Sequence, residues 1–151
     1  MRRCAERRRP VTIPSAGRLH PSERLRLAGE IALVSLYARF ALRREPIELV
    51  VRRLRTVVPH PAMPVAQTPG AVDAWRLGHA VSRTLRLLPG DTRCLVRSLV
   101  LTRLLARRGI ASTLVIGTRT TPEFLAHAWV ELQGTPLLDP GGGAFARLAE
   151  L

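Results

Sequence analysis

A chain of 151 residues is long enough for one domain with a single hydrophobic core. Apolar residues make up 46 % of it, and the long polar tracts of a disordered protein are absent. The formal net charge of +13 favours acidic partners, such as nucleic acid, anionic lipid or an acidic peptide or protein. A basic nucleic-acid-binding or adaptor protein is disfavoured, because aromatic residues are only 4 % and do not interleave with the arginines.

Residues 1–20 are basic and contain prolines, and we expect them to be a flexible arm. The arginines of this arm do not lead into an apolar segment, so the pattern of a secretory signal is missing. The most apolar stretch, residues 31–38, is too short to span a bilayer, which needs ~20 apolar residues. The two cysteines, Cys4 and Cys94, are not expected to form a structural disulfide, and a cytoplasmic location fits best.

Helical spacing of apolar residues dominates the chain after the arm. We predict a first helix with Ser22 as its N-cap that runs to about Arg44. It is apolar over most of its surface, as is usual for a helix that is buried or docked on a partner. A second helix starts at Pro46, a proline-rich loop follows at 59–70, and a third helix covers about 71–88.

A fourth helix follows the break at Pro89 and Gly90, and it begins at Cys94 and ends at Gly109. One stripe of this helix carries Cys94, Ser98, Leu101 and Leu105.

After Gly109 the apolar period changes to two, which predicts antiparallel strands at 112–118, 124–134 and 135–140. The fold class is therefore α+β, with N-terminal helices followed by one helix packed on a small antiparallel sheet. We predict a single domain over 21–151, made of a helical part (21–88), the fourth helix with the strands (89–140) and a C-terminal tail (141–151).

Cys94 lies where a nucleophile gains most from a helix. A thiol is a weak nucleophile until it is deprotonated, and the amides and dipole of a helix N-terminus favour the thiolate. Among the four histidines only His127 lies inside a predicted strand, on the same face as Trp129 and Glu131. Asp139 ends the next strand, where its carboxylate can accept the ring N–H. We therefore predict a Cys94–His127–Asp139 triad.

This triad sets a condition on the turn between the second and third strands. His127 and Asp139 share a face if the turn has an odd number of residues or contains a bulge. A regular two-residue turn at Gln133 and Gly134 places them on opposite faces. We therefore predict a three-residue or bulged turn, or else an Asp139 that lies just beyond the regular ladder.

Each of the three residues also has a purely structural interpretation. A lone cysteine or histidine among apolar residues is most often part of the core, and Asp139 before Pro140 can start a turn. The three are possible zinc ligands, but no CxxC or HxxxH spacing supports a metal site. The glycines at 141–143 lack the Lys-Ser/Thr of a phosphate loop, and no cofactor is expected.

Three segments around the predicted triad read "CLVRSLVLTRLLARRGIASTLVIGT", "FLAHAWVELQG" and "LLDP". They resemble the lasso-peptide leader peptidases, the peptidase half of the split B protein, which have a transglutaminase-like, papain-like core. The similarity covers roughly residues 25–139 and is strongest from 93 to 139.

The resemblance implies a cysteine protease that removes the leader from a ribosomally made precursor peptide. Cys94 is then the nucleophile, His127 the general base and acid, and Asp139 the residue that orients the imidazole. The backbone N–H of Cys94 is the expected oxyanion donor. A general transglutaminase-like peptidase or an amide acyltransferase would carry the same triad, so these alternatives stay open.

The resemblance also implies partners. In split systems a small separate protein of winged-helix type captures the leader, and an ATP-dependent macrolactam synthetase closes the ring afterwards. We therefore expect the precursor leader, this recognition protein and the synthetase as partners, and no nucleic acid. The first and second helices are candidate docking surfaces for them.

Overall fold

A computed structural model of the chain describes residues 20–56, 71–87, 94–138 and 145–151. It contains helices α1 (Pro21–Ala41), α2 (Ile47–Arg55), α3 (Ala71–Leu87) and α4 (Cys94–Ala106), and strands β1 (Thr113–Arg119), β2 (Leu125–Leu132), β3 (Thr135–Pro136) and β4 (Ala146–Glu150). The loop predicted at 59–70, the break at Pro89 and Gly90, and nearly all of the predicted arm lie outside the described residues.

The predicted α+β fold class is confirmed. The described helices precede a four-stranded antiparallel sheet with the strand order β3-β2-β1-β4. The predicted meander of three strands is present as β1, β2 and β3, but β3 covers only Thr135–Pro136 of the predicted 135–140, and residues 137–138 are not part of the strand. None of the helices within the described residues is both long enough and apolar enough to cross a membrane.

Helix α1 begins slightly earlier than predicted. Its N-cap is His20 rather than Ser22, and Pro21 takes the first helical position, where a proline fits because its missing N–H is not needed. The carboxylate of Glu23 accepts a hydrogen bond of 3.0 Å from the backbone N–H of His20. The prediction of Ser22 is wrong because the acid three residues after His20 caps that residue instead.

Helix α4 forms the centre of the core. Helices α1, α2 and α3 and strand β2 all pack against it. Four of its leucines and one valine are fully buried: Leu99, Val100, Leu101, Leu104 and Leu105. Since each such side chain stabilises the fold by about 1.5–3 kcal/mol, the position of α4 is fixed by burial on several sides.

A side-chain hydrogen bond joins α4 to the edge of β2. The hydroxyl of Ser98, which is fully buried, donates to the carbonyl of Ala128 at 3.0 Å. The carbonyl of Val130 accepts from the amide of Leu137 at 2.8 Å. Carbonyls two residues apart point to the same edge of a strand, so the carbonyl of Ala128 faces the same edge of β2 as that of Val130. Ser98 therefore binds the next carbonyl along this edge, beyond the end of β3. Helix α4 therefore borders β2 where the short strand β3 has ended.

The C-terminal end of α4 shows in which direction the helix runs along β2. Thr102 and Ala106 line one surface depression together with Ser112, the residue before β1. Thr113, which begins β1, pairs with Glu131 near the end of β2. The C-terminal half of α4 therefore lies at the Glu131 end of β2, and its N-terminus points towards the start of that strand.

The turn between β2 and β3 corrects one prediction. Leu132 pairs with Thr135, so only Gln133 and Gly134 form the turn, with φ angles of 50° and 77°. Positive φ at both positions is the signature of a type I′ turn, whose twist matches the twist of the strands. The predicted three-residue or bulged turn is therefore wrong. Asp139 lies outside the described residues, so its position beyond the ladder stays a prediction.

Strand β4 was not predicted, because residues 141–151 were interpreted as a tail. The sequence of β4 lacks the alternation of apolar and polar residues that indicates a strand. Its side chains are accordingly mostly exposed. The pairing with β1 is made by the backbone, and Leu151 and Leu114 exchange two hydrogen bonds of 2.8 Å. Arg55 of α2 donates to the carbonyls of Ser112 and Leu151 at 2.7 and 2.6 Å, so it connects the start of β1 with the end of β4 at the same end of this pair.

Gly117 of β1 stands directly opposite His127 of β2, and its place is too crowded for a side chain. A Cβ atom on Gly117 would lie 2.8 Å from Cη2 of Trp129 and 3.0 Å from Cβ of Phe145. The indole of Trp129 therefore needs the space that glycine leaves free.

We expect Ser98→Ala to lower the free energy of unfolding by about 1–3 kcal/mol, because it leaves the buried carbonyl of Ala128 without this donor. Ser35→Ala is the matched control. The hydroxyl of Ser35 donates at 2.7 Å to Ala32, within its own helix, so its loss is expected to cost less than about 1 kcal/mol. Denaturant unfolding measures both variants, and equal effects would contradict the role of Ser98.

We expect Gly117→Ala to destabilise the protein by about 1–3 kcal/mol, since the new methyl group pushes Trp129 and Phe145 apart. Gly29→Ala in α1 is the control, because a Cβ atom there meets nothing within 4 Å. That change is expected to stabilise the protein by about 0.5–1 kcal/mol. Unfolding curves and near-ultraviolet circular dichroism of the tryptophans test this, and an unchanged Gly117→Ala protein would contradict the close contact.

Candidate active site

Cys94 is the first residue of α4 and carries a free thiol. It is half-buried and packs against the hydrophobic core. The predicted stripe is confirmed, because Ser98, Leu101 and Leu105, which follow Cys94 along it, are all 0 % exposed. The first N–H groups of a helix have no acceptor within the helix, so the amides around Cys94 are oriented outward from this end.

His127 is the third residue of β2, and it is half-buried. Its ring stacks on Trp129, with ring centroids 6.2 Å apart and planes inclined by 21°. Phe145, just before β4, lies on another side of the ring at 5.5 Å and 34°. The two aromatic rings limit the orientations of the imidazole, so its nitrogen atoms point in a restricted set of directions.

Trp129 is itself held by a buried carboxylate. Its indole N–H donates to Oε1 of Glu131 at 2.8 Å, and Glu131 is only 5 % exposed. Arg147 of β4 donates to both oxygens of Glu131, at 2.8 and 2.9 Å. The hydrogen bond to Glu150 and then that to Glu131 raise the pKa of Arg147, so the guanidinium stays charged. A buried carboxylate is tolerated when it is paired in this way.

The predicted face of β2 is confirmed by these contacts. His127, Trp129 and Glu131 alternate along the strand, and Trp129 touches both of the others. Period-two spacing already indicated this part of the cluster. Phe145 and Arg147 carried no such signal, because they reach His127 and Glu131 only through the pairing of β4 with β1.

The Cys94 end of α4 and the first residues of β2 lie at the same end of the molecule. Ser98 is bonded to Ala128, and Cys94 precedes Ser98 by about 6 Å along the helix axis. A strand rises about 3.3 Å per residue, so Cys94 is level with the residues just before Ala128, which include His127. Asp139 lies outside the described residues, and the triad as a whole stays a prediction.

Other parts of the described structure have fewer features of a catalytic site. Two surface depressions share Arg55 and lie at the opposite end of α4 from Cys94. Across the described ranges no three His, Cys, Asp or Glu side chains come together as a metal site would require. The candidate active site is therefore the region between the N-terminus of α4 and the start of β2.

Comparison with protein families supports the same region. Residues 30–150 match the transglutaminase-like superfamily, and the match includes Cys94 and His127 and runs through β4. Comparison with curated proteins and with solved structures gives no significant match. The superfamily is associated with cysteine-peptidase and transglutaminase chemistry, in which a thiol attacks an amide carbonyl. With most of its length matched, the chain belongs to the transglutaminase-like superfamily.

Proposed function

We propose that this chain is a cytoplasmic cysteine peptidase that removes the leader from a lasso-peptide precursor before macrolactam formation. The observation that carries the proposal is the hydrogen bond from Ser98 of α4 to Ala128 of β2, since α4 begins at Cys94 and its N-terminus points towards the end of β2 that contains His127. The resemblance of the segments around both residues to the leader peptidases supports the substrate class.

In the first half of the proposed reaction, the sulfur of Cys94 attacks the carbonyl carbon of the scissile peptide bond. The thiol proton passes to the imidazole of His127. The oxygen of the tetrahedral intermediate carries the negative charge, and the backbone N–H of Cys94 donates to it. When the C–N bond breaks, His127 returns the proton to the leaving amine, which is the N-terminus of the core peptide.

In the second half, the leader is held as a thioester on Cys94 and a water molecule attacks it. His127 takes a proton from this water, the C–S bond breaks, and the thiol is regenerated while the leader leaves with a new carboxylate. The proposed part of Asp139 is to accept the ring N–H and keep the imidazole in the reactive tautomer. Trp129 and Phe145 assist by limiting rotation of the ring.

Three partners belong to this proposal. The precursor leader is the substrate, and a separate winged-helix recognition protein delivers it. The macrolactam synthetase takes the released core peptide. The net charge of +13 suits an acidic leader or an acidic recognition protein, since opposite charges accelerate their encounter.

Acyl transfer is the alternative reaction, because the same thioester can be attacked by an amine instead of water. The cognate precursor, incubated with the enzyme and the recognition protein in ¹⁸O-labelled water, separates the two. Hydrolysis adds one ¹⁸O atom to the new carboxylate of the leader. A leader product that carries an amine and no ¹⁸O would contradict the peptidase.

We expect Cys94→Ala to lower kcat/KM for leader removal by at least about 10³-fold, since no other group forms the thioester. Cys4→Ala is the control and is expected to cleave like the wild type. Mass spectrometry of the precursor measures both, and binding of the recognition protein to Cys94→Ala is expected to be unchanged. Full cleavage by Cys94→Ala would rule out the assignment of the nucleophile.

We expect His127→Ala to lower kcat by about 10²–10⁴-fold, because general acid–base catalysis is lost. Asp139→Asn is expected to be milder, because the base remains and only its orientation suffers. His79→Ala, at an exposed position of α3, is the matched control and is expected to leave cleavage unchanged. Single-turnover cleavage of the precursor measures all three variants. A wild-type rate for Asp139→Asn would mean that Asp139 is only a turn residue.

A further inference from the structure

Helix α1 exposes a row of large apolar side chains. Leu33, Leu36, Tyr37 and Phe40 are 71, 65, 44 and 55 % exposed. Their spacing of i, i+3, i+4 and i+7 places them along one line of the helix surface. We call these four residues the α1 stripe.

The α1 stripe lies on the opposite side of the helix from its contact with the core. The buried face of α1 carries Ile31, Ser35 and Ala38, which follow each other at i, i+4 and i+7. At 100° per residue, their mean direction points about half a turn away from the α1 stripe. The packing of α1 on the rest of the described protein therefore leaves the stripe available to another molecule.

Arginines stand at both ends of the α1 stripe. Arg26 lies seven residues before Leu33 on the same line of α1. Arg44 lies in the turn that follows the last helical residue, Ala41. The guanidinium of Arg44 lies 4.2 Å from the centre of the Phe40 ring. Arg43 is adjacent, and all three arginines are exposed.

The neighbouring carboxylates do not neutralise these arginines. Glu30 pairs with Arg107 at 2.9 Å, and Glu45 pairs with Arg53. Glu23 accepts the hydrogen bond at the N-terminus of α1. Among the described residues, no carboxylate forms an ion pair with Arg26, Arg43 or Arg44, so both ends of the stripe keep their positive charge.

We propose that the α1 stripe is a docking surface for an amphipathic helix of another protein, apolar in its centre and acidic at both ends. A row at i, i+3, i+4 and i+7 is the seam that one helix presents to another. Exposed Gly29 continues this row four residues before Leu33 and lets a partner approach closely. This inference goes beyond the proposed peptidase activity and requires nothing of Cys94.

The charges favour this occupant over a second copy of the chain. If two α1 helices packed antiparallel through the stripe, Arg26 of one copy would face Arg43 and Arg44 of the other. If they packed in parallel, each arginine would face its own counterpart. Both arrangements bring like charges together, whereas carboxylates on a different partner are attracted to both ends.

Two helical peptides test the docking surface. Both carry leucine at the a and d positions, one with glutamate at its ends and the other with lysine. Fluorescence anisotropy of the labelled peptides with the full-length protein measures the Kd. We expect the acidic peptide to bind at least about tenfold tighter than the basic one, because several exposed ion pairs act together.

Variants with exposed substitutions then assign the binding to the stripe. Leu33→Ser with Leu36→Ser is expected to weaken binding of the acidic peptide by at least tenfold. Leu87→Ser is expected to leave binding unchanged, since Leu87 is also exposed but lies on α3. Arg43→Glu with Arg44→Glu is expected to remove most of the preference for the acidic peptide, because only Arg26 then attracts it. The control pair is Arg83→Glu with Arg86→Glu on the exposed part of α3.

Equal affinity for the two peptides, or binding that survives the loss of both leucines, would overturn the proposal. It would also be overturned if the stripe were needed for binding to anionic phosphatidylserine vesicles, or for a dimer detected by light scattering. Circular dichroism confirms that each variant is folded. Binding is measured on Cys94→Ala as well, so failure of this proposal and failure of the peptidase are distinguishable.

Discussion

The hydrogen bond from Ser98 to Ala128 is the contact on which the arrangement of the candidate site depends. It joins the buried stripe of α4 to the edge of β2 at the place where the strand β3 has ended. Cys94 lies one turn before Ser98 and His127 lies one residue before Ala128, so this bond holds the N-terminal end of α4 towards the end of β2 that contains His127. Burial of α4 on several sides keeps the contact in register.

A second set of contacts determines the orientation of the imidazole rather than its position. The carboxylate of Glu131 is bound by the indole of Trp129 and by Arg147, and Trp129 stacks on His127. Such a network is rigid because a buried carboxylate that loses a partner is strongly penalised. The strand β4 is thereby part of the site, since it supplies Arg147 and follows Phe145.

The surface of α1 explains an unusual property of its sequence. A helix that is apolar nearly all round is expected to be enclosed by protein, yet only one side of α1 packs on the core of the described residues. The other side combines the apolar row from Leu33 to Phe40 with unneutralised arginines. An apolar seam with charged ends is more selective than either feature alone, because a wrong partner meets either repulsion or an unfilled surface.

Periodicity in the sequence was enough to predict the four helices and the strands β1 to β3, because each depends on local spacing. The same spacing predicted the face shared by His127, Trp129 and Glu131 and the buried stripe that follows Cys94 along α4. The sequence also contained the Gln133–Gly134 turn, but the parity argument preferred a longer one. Only the tertiary structure revealed β4 and its residues Phe145 and Arg147. That strand forms by backbone pairing with a distant edge, and backbone hydrogen bonds leave no pattern in the side chains.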